Sequence, residues 1–258
     1  MSRYIISPGQ GYETASTHST EPVLRICELF TDAFQGEGVY TGHPAIFLRL
    51  AGCHLNCKWC DTKDIWQSST TLSVDSLISL FIRESLVDKL SRGFHLVITG
   101  GSPLLQQDSL TKFIVGLRKC AENIFIEMEN DASLTITPQN EALLALVDCW
   151  NNSPKLASSG IPLERRYNPK AILQLGRAGT EHWFKFVISK EEEWNEIEEL
   201  FLGPSLIKRE KIILMPQGQT IRELTPQVKR KIAELAVGKG VRFSTRLHID
   251  LYDDLKGV

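Results

Sequence analysis

From residue 23 onward, short apolar runs alternate with amphipathic segments, and this alternation narrows the choice of fold more than any other feature. It predicts β-strands that alternate with α-helices. The predicted strands are 24–29, 45–50, 95–99, 124–127, 147–151, 184–188, 212–215 and 241–245. The predicted helices are 74–90, 109–121, 138–146, 169–175, 191–202 and 226–237. Repeated units of this kind predict an α/β fold, a partial (β/α) barrel of parallel strands with its chemistry at their carboxyl ends.

The first 22 residues lack this alternation. They are rich in Ser, Thr, Gly and Glu and have no clear period, so we predict a flexible N-terminal extension over 1–22. We predict that residues 23–258 form one domain, because a chain of 258 residues lies within the size range of single α/β barrels.

Composition and charge argue against several classes of protein. The net charge is −2, and the basic cluster Lys229, Arg230 and Lys231 is flanked by Glu223 and Glu234, so we expect no nucleic-acid partner. No apolar run approaches the ~18 residues that a membrane span needs. The N-terminus lacks the charged start and apolar stretch of a secretory signal. These features together predict a cytoplasmic protein.

Three of the six cysteines lie close together, at Cys53, Cys57 and Cys60, directly after a predicted strand. In a chain without an export signal, such a cluster is more typical of metal binding or catalysis than of disulfides. Three thiolates on one loop can hold three irons of a 4Fe–4S cluster and leave the fourth corner open. The spacing by itself also fits a zinc loop completed by His54 or a distant cysteine, and a set of redox thiols.

A glycine pair follows the next predicted strand, in the segment Thr99-Gly100-Gly101-Ser102-Pro103. Two glycines allow the backbone to approach a ligand closely. This segment and the C-x3-C-x2-C loop, with an aromatic residue before its last cysteine, resemble the radical S-adenosylmethionine (SAM) superfamily. In that superfamily a G-G-E-P segment binds the amino group of SAM. Here Ser102 replaces the Glu, and a hydroxyl accepts a hydrogen bond without supplying a charge.

Over residues 24–258 the chain resembles one family of that superfamily, the 7-carboxy-7-deazaguanine synthases. The motifs that carry the resemblance are F-Q-G-E-G at 34–38, G-H-P-A-I-F-L-R-L-A-G-C at 42–53, C-K-W-C-D-T at 57–62, S-P-K at 153–155, M-P-Q-G at 215–218, R-L-H at 246–248 and K-G-V at 256–258. The resemblance implies a barrel of the radical SAM type. It also implies a lyase that converts 6-carboxy-5,6,7,8-tetrahydropterin to 7-carboxy-7-deazaguanine and ammonia in queuosine-type deazapurine biosynthesis, with SAM regenerated.

The resemblance also assigns roles to individual residues, with no classical acid–base residue among them. The implied ligands of the 4Fe–4S cluster are Cys53, Cys57 and Cys60, and the implied ligand of a catalytic Mg²⁺ is Thr62. The implied substrate contacts are Phe34, Gln35, Gly36, Arg49, Thr99 and Val258. The implied SAM contacts are Gly101, Ser102, Ser153, Pro154, Lys155, Met215, Pro216, Gln217 and Gly218.

The implied cofactors are the 4Fe–4S cluster, SAM and Mg²⁺. The implied partners are the small-molecule pterin, an external electron donor such as flavodoxin, and a second copy of the chain in a homodimer. Two alternatives remain at this point. One is a glycyl-radical-enzyme activase, which would not need the Q-G-E-G turn or Thr62. The other is a non-catalytic barrel protein with a metal site.

Overall fold

A computed structural model describes residues 2–9, 21–121, 123–178 and 181–257. The strands of this part of the chain form one sheet. They are β1 (Arg3–Ile6), β2 (Val23–Phe34), β3 (Pro44–Leu50), β4 (Thr70–Ser73), β5 (His95–Gly100), β6 (Phe125–Asn130), β7 (Cys149–Asn152), β8 (Glu181–Ile188), β9 (Ile212–Pro216) and β10 (Arg242–Phe243). Their order is β1-β2-β3-β5-β6-β7-β8-β9-β10, with β4 paired to β2.

The strand pairs from β3 through β10 are parallel, as predicted. The exception is β2, which is antiparallel to β1, β3 and β4. The connection from β2 to β3 holds only a 3₁₀ turn at Gly38–Tyr40, and a parallel crossover needs a dozen or more residues. Among the described strands no pairing joins β10 back to β1, so the barrel is partial.

Residues 3–6 depart from the predicted flexible extension. They form the edge strand β1, which pairs with β2 and buries Ile5 and Ile6 at 8% and 0% exposure. Two adjacent isoleucines supply enough apolar surface for an edge strand, a signal too short to stand out in the sequence pattern. Residues 10–20 lie outside the described part of the chain. The boundary at residue 23 therefore stays a prediction.

The helices follow the predicted order with changed bounds. They are α1 (Lys63–Trp66), α2 (Val74–Arg83), α3 (Leu86–Ser91), α4 (Gln107–Cys120), α5 (Leu143–Leu146), α6 (Leu163–Arg166), α7 (Pro169–Leu175), α8 (Glu193–Ile197), α9 (Pro226–Lys239) and α10 (Leu247–Tyr252). The helix predicted at 74–90 is interrupted because Ser85 has a left-handed backbone with φ of 56°. None of the helices in the described ranges is long and apolar enough to cross a membrane.

Strand β3 separates the apolar core from a cavity. Ile46, Leu48 and Leu50 belong to the main core cluster, which includes residues of α2 and α4. Phe47 and Arg49 line the cavity instead. Because successive side chains of a strand point to opposite faces, an arginine in an apolar strand can face the cavity without entering the core.

Candidate active site

One cavity at the carboxyl ends of the parallel strands brings together most of the residues singled out from the sequence. The predicted site residues that line it are Phe34, Gln35, Gly36, Arg49, Cys53, Cys57, Cys60, Thr62, Thr99, Gly101, Ser153, Lys155, Met215, Gln217 and Gly218. Pro154, Pro216 and Ser102 are buried beside the cavity and do not line it. Val258 lies outside the described residues. The fold therefore converges on a single site, as parallel strands of this kind predict.

The three thiols of the cysteine loop share an apolar pocket wall. Cys57 is buried, Cys53 and Cys60 are partly buried, and all three pack with Leu55 and Ile161. Burial raises the pKa of the Cys57 thiol, and the Lys155 ammonium opposes that shift. Thiolates are the ligands that iron–sulfur clusters use, and a nearby cation stabilises them. The loop therefore fits a cluster held by its three cysteines.

His54 does not complete a zinc site. Its ring nitrogens lie 2.9 Å from Ser102 Oγ and 2.8 Å from Ser133 Oγ, so both are already engaged by serine hydroxyls. Within the described ranges no three His, Cys, Asp or Glu side chains converge on one metal ion. Structural zinc takes four protein ligands, whereas three cysteines suffice for a 4Fe–4S cluster with one open corner, so the three-thiol loop favours the cluster over the zinc alternative.

The glycine pair serves the packing of two loops. A Cβ on Gly101 would overlap the carbonyl oxygen of Gly52 and lie 2.6 Å from Cys53 Cβ. In addition, Ser102 N donates to Gly52 O at 2.8 Å. The close approach predicted toward a ligand is thus made to the chain's own cysteine loop, which the end of β5 holds in place.

Gly101→Ala should displace the cysteine loop, because the added methyl meets backbone atoms that cannot rotate away. We expect the reconstituted protein to bind well under half the iron and sulfide of the wild type. Gly238→Ala is the matched control, since a Cβ there meets nothing within 4 Å. Equal iron content in the Gly101 variant and the wild type would contradict this role.

The turn that follows β2 enters the cavity from the opposite side. Gln35 is 2% exposed, and its Nε2 donates to Glu127 at 3.3 Å and to Glu129 at 3.2 Å. A Cβ on Gly36 would lie 2.8 Å from His248 Cγ, so any larger residue here would have to displace the His248 ring. The hydrogen bonds of Gln35 and the close contact of Gly36 give both residues of the Q-G pair a structural role in this turn.

Arg49 is held by a carboxylate that the sequence analysis missed. Its Nε donates to Glu28 Oε1 at 2.6 Å, and Glu28 is 1% exposed. The two terminal amino groups of Arg49 have no protein partner among the described residues, and the residue lines the cavity. Glu28 therefore fixes one edge of the guanidinium and leaves the other edge available for a ligand carboxylate.

Four charged side chains, two of which are buried, connect the turn after β2, the cysteine loop and residues 246–248. Glu37 pairs with Lys185 and with Arg246, whose Nε lies 2.7 Å from Glu37 Oε1. Arg246 also pairs with Asp61 and donates to Gly218 O at 2.5 Å. Burial alone would raise the pKa of Glu37, but Lys185 and Arg246 outweigh it and hold that pKa well below its usual range. The network therefore stays ionised.

Sequence reasoning gave no role to Lys185 or to Arg246. Lys185 carries the same signal as Arg49, a cation inside an apolar strand, and both side chains line the cavity. Of the histidines, His248 also lines the cavity, whereas His95 bonds Glu127 at 2.7 Å and stacks on His43, as expected of structural residues.

Comparison with known proteins agrees with this geometry. Residues 34–162 match the family described as 4Fe-4S single cluster domain. Among solved structures, the crystal structure of QueE from Escherichia coli covers 88% of this chain and 95% of its own, with a TM-score of 0.63 and 23% identity. The structure of anSMEcpe with bound AdoMet and a peptide covers 76% of this chain and 60% of its own, at a TM-score of 0.50 and 16% identity. These likenesses confirm the predicted fold class.

Curated relatives match over almost the whole chain. The 7-carboxy-7-deazaguanine synthase of Pyrobaculum aerophilum is 32% identical over 246 residues, which cover 93% of this chain and 99% of the relative. The synthase of Halobacterium salinarum is 31% identical over 261 residues, covering 93% and 95%. Identity at this level and coverage establishes that the chain belongs to the 7-carboxy-7-deazaguanine synthase family.

Proposed function

We propose that this cavity converts 6-carboxy-5,6,7,8-tetrahydropterin to 7-carboxy-7-deazaguanine and ammonia. The observation that carries the proposal is the convergence of the three-cysteine loop, the Q-G-E-G turn and Arg49 on one cavity. The substrate atoms equal those of the product plus ammonia, so the net reaction consumes no oxidant. A glycyl-radical-enzyme activase would not need the turn or Thr62.

The cofactors supply the radical chemistry and the protein supplies position. When bound, the cluster and SAM provide the electron and the radical that removes a hydrogen from the pterin and later returns it. Cys53, Cys57 and Cys60 would hold the cluster. The proposed SAM contacts are Gly101, Ser102, Ser153, Pro154, Lys155, Met215, Pro216, Gln217 and Gly218, and Ser102, Pro154 and Pro216 would act from beside the cavity.

Arg49 would anchor the carboxylate of the substrate through its two free amino groups. A planar guanidinium matches a carboxylate in a bidentate pair. Gln35 is held by two carboxylates, and together with Phe34, Gly36 and Thr99 it would orient the ring. The C-terminal residue Val258 remains proposed as a substrate contact through its carboxylate. These side chains would hold the pterin beside the cysteine loop.

The proposed function is tested by anaerobic turnover of the reconstituted protein with the carboxypterin, SAM, Mg²⁺ and a chemical reductant. Ultraviolet absorbance and mass spectrometry should detect a product that has lost one ammonia, while the SAM concentration stays constant. The absence of this product, or the release of one 5′-deoxyadenosine per turnover, would contradict the proposal.

Thr62 is the proposed protein ligand of Mg²⁺. Its hydroxyl is 3.7 Å from Cys60 Sγ and lines the cavity, and it makes no capping hydrogen bond although Thr62 precedes α1. Mg²⁺ prefers oxygen ligands and keeps several waters, so one hydroxyl plus substrate oxygens can hold it. Because the hydroxyl does not cap the helix, the structure favours a ligand role for it over a capping role.

Thr62→Val should therefore fold, retain its cluster and lose the stimulation of turnover by Mg²⁺, because valine keeps the shape and removes the oxygen. Turnover of both proteins across a Mg²⁺ titration measures this effect. Thr71→Val, on β4, is a control that should respond to Mg²⁺ as the wild type does. The same metal dependence in the Thr62 variant and the wild type would exclude Thr62 as the ligand.

We also propose a cytoplasmic location, an external electron donor such as flavodoxin, and a homodimer. The electron donor and the homodimer are carried over from the family resemblance. Sedimentation of the purified protein at several concentrations tests the dimer, and turnover with reduced flavodoxin in place of a chemical reductant tests the donor.

A further inference from the structure

Ser102, which stands where the superfamily has a glutamate, is in contact with a carboxylate from the neighbouring strand. Ser102 is 2% exposed, and its Oγ donates to Asp131 Oδ2 at 2.6 Å. Asp131 follows the end of β6 directly, is 6% exposed, and lines the cavity. A carboxylate is thus present beside the glycine segment although position 102 carries only a hydroxyl.

This carboxylate lies close to the cysteine loop. Ser102 Oγ is 3.6 Å from Cys53 Sγ, so one hydroxyl separates the Asp131 carboxylate from the first proposed cluster ligand. A glutamate side chain is two carbons longer than serine. A serine hydroxyl and one hydrogen bond span a similar reach, so Asp131 brings its charge near the place that a glutamate at 102 would occupy.

The charge of Asp131 has no lysine or arginine partner in the described part of the chain. Its Oδ1 accepts from Ser133 N at 3.0 Å and from the Ser133 hydroxyl, and the nearest basic group is His54 Nδ1 at 4.0 Å. A carboxylate has about four acceptor sites, and three are used here. A buried carboxylate in this state favours a cationic hydrogen-bond donor from the cavity.

We propose that Asp131 binds the amino group of SAM and supplies the charge that Ser102 lacks. This inference rests on the proposed SAM site. Asp131 makes the contact, and Ser102 is a positioning residue that orients Oδ2 through its hydroxyl. An ammonium and a carboxylate form a charge-assisted hydrogen bond, which is stronger than the bond that the serine hydroxyl alone would make.

The alternative is that Asp131 only shapes the turn after β6. Its Oδ1 bonds the backbone of Ser133, and Ala132 has a positive φ of 58°. Asp131→Asn separates the two roles, because an asparagine Oδ1 can still accept from Ser133 N while the charge is lost. A purely structural role would affect every ligand of the site, whereas the proposed contact affects only ligands that carry the amino group.

Calorimetric titration of cluster-reconstituted protein with three ligands tests the proposal. SAM and S-adenosylhomocysteine carry the amino group, and methylthioadenosine lacks the amino-acid end. We expect Asp131→Asn to lower the affinity for SAM and for S-adenosylhomocysteine about tenfold or more. The affinity for methylthioadenosine should fall less than twofold. Asp75→Asn, at an exposed position of α2, should change none of the affinities.

Iron content is measured on the same samples. If the Asp131→Asn protein does not hold a cluster, the three titrations are repeated with Ser102→Ala. We then expect the affinity for the two ligands with the amino group to fall a few fold relative to that for methylthioadenosine. An equal loss of affinity for all three ligands, or no loss, would overturn the proposed role of Asp131 and leave the proposed SAM site untouched. A wild type that does not bind SAM would instead overturn the proposed SAM site.

Discussion

Each of the substitutions Cys53→Ala, Cys57→Ala and Cys60→Ala will abolish the iron–sulfur cluster. Three thiolates leave no spare ligand on the loop, and His54 is occupied by two serine hydroxyls. The other cysteines cannot substitute, since Cys27 and Cys149 are buried on strands β2 and β7 and Cys120 lies exposed on α4. Iron and sulfide content and visible charge-transfer absorbance after anaerobic reconstitution measure the effect.

Cys120→Ala is the matched control for these variants. It removes an exposed thiol at the end of α4 and should leave iron content and absorbance unchanged. Retention of a full cluster by any one of the three loop variants would show that the loop is not the ligand set. Loss of the cluster in the Cys120 variant would point to a ligand outside the cavity.

Arg246→Met will destabilise the protein by roughly 3 kcal/mol, the lower end for a broken buried ion pair, because Asp61 loses its cation and Glu37 keeps only Lys185. Arg246 is 9% exposed and connects Glu37, Asp61 and the carbonyl of Gly218. Its loss also removes the ion pairs that link the turn after β2 to the cysteine loop. Chemical denaturation of the cluster-free protein, followed by tryptophan fluorescence, gives the free energy of unfolding.

Two further variants serve as controls for the Arg246→Met result. Arg246→Lys keeps the charge but loses the planar fork, so we expect an intermediate loss of stability. Arg3→Met removes a surface ion pair with Glu84, in which the Arg3 side chain is 50% exposed, and should cost at most about 1 kcal/mol. A free energy of unfolding for Arg246→Met within that same range would mean that the network contributes little to the fold.

The sequence by itself determined the features that depend on neighbouring residues. The three cysteines lie on one short loop, so their cooperation needs no knowledge of the fold. The alternation of apolar and amphipathic segments predicted α/β units and a common edge for the strand ends, because parallel strands end at the same side of a sheet. Residues as far apart as Phe34 and Met215 were assigned to one site by the family resemblance, and the structure places both at the cavity.

Only the tertiary structure decided which side chains meet across that edge. Arg246 is separated by 209 positions from Glu37 and by 185 from Asp61, and no local pattern relates such residues. Ser102 and Asp131 follow adjacent strands and are 29 positions apart. A strand pattern predicts the face on which a side chain lies, but its partner depends on strand order, register and the paths of the loops beyond the sheet. The partner of Ser102, and with it the carboxylate offered to the cavity, therefore emerged only from the fold.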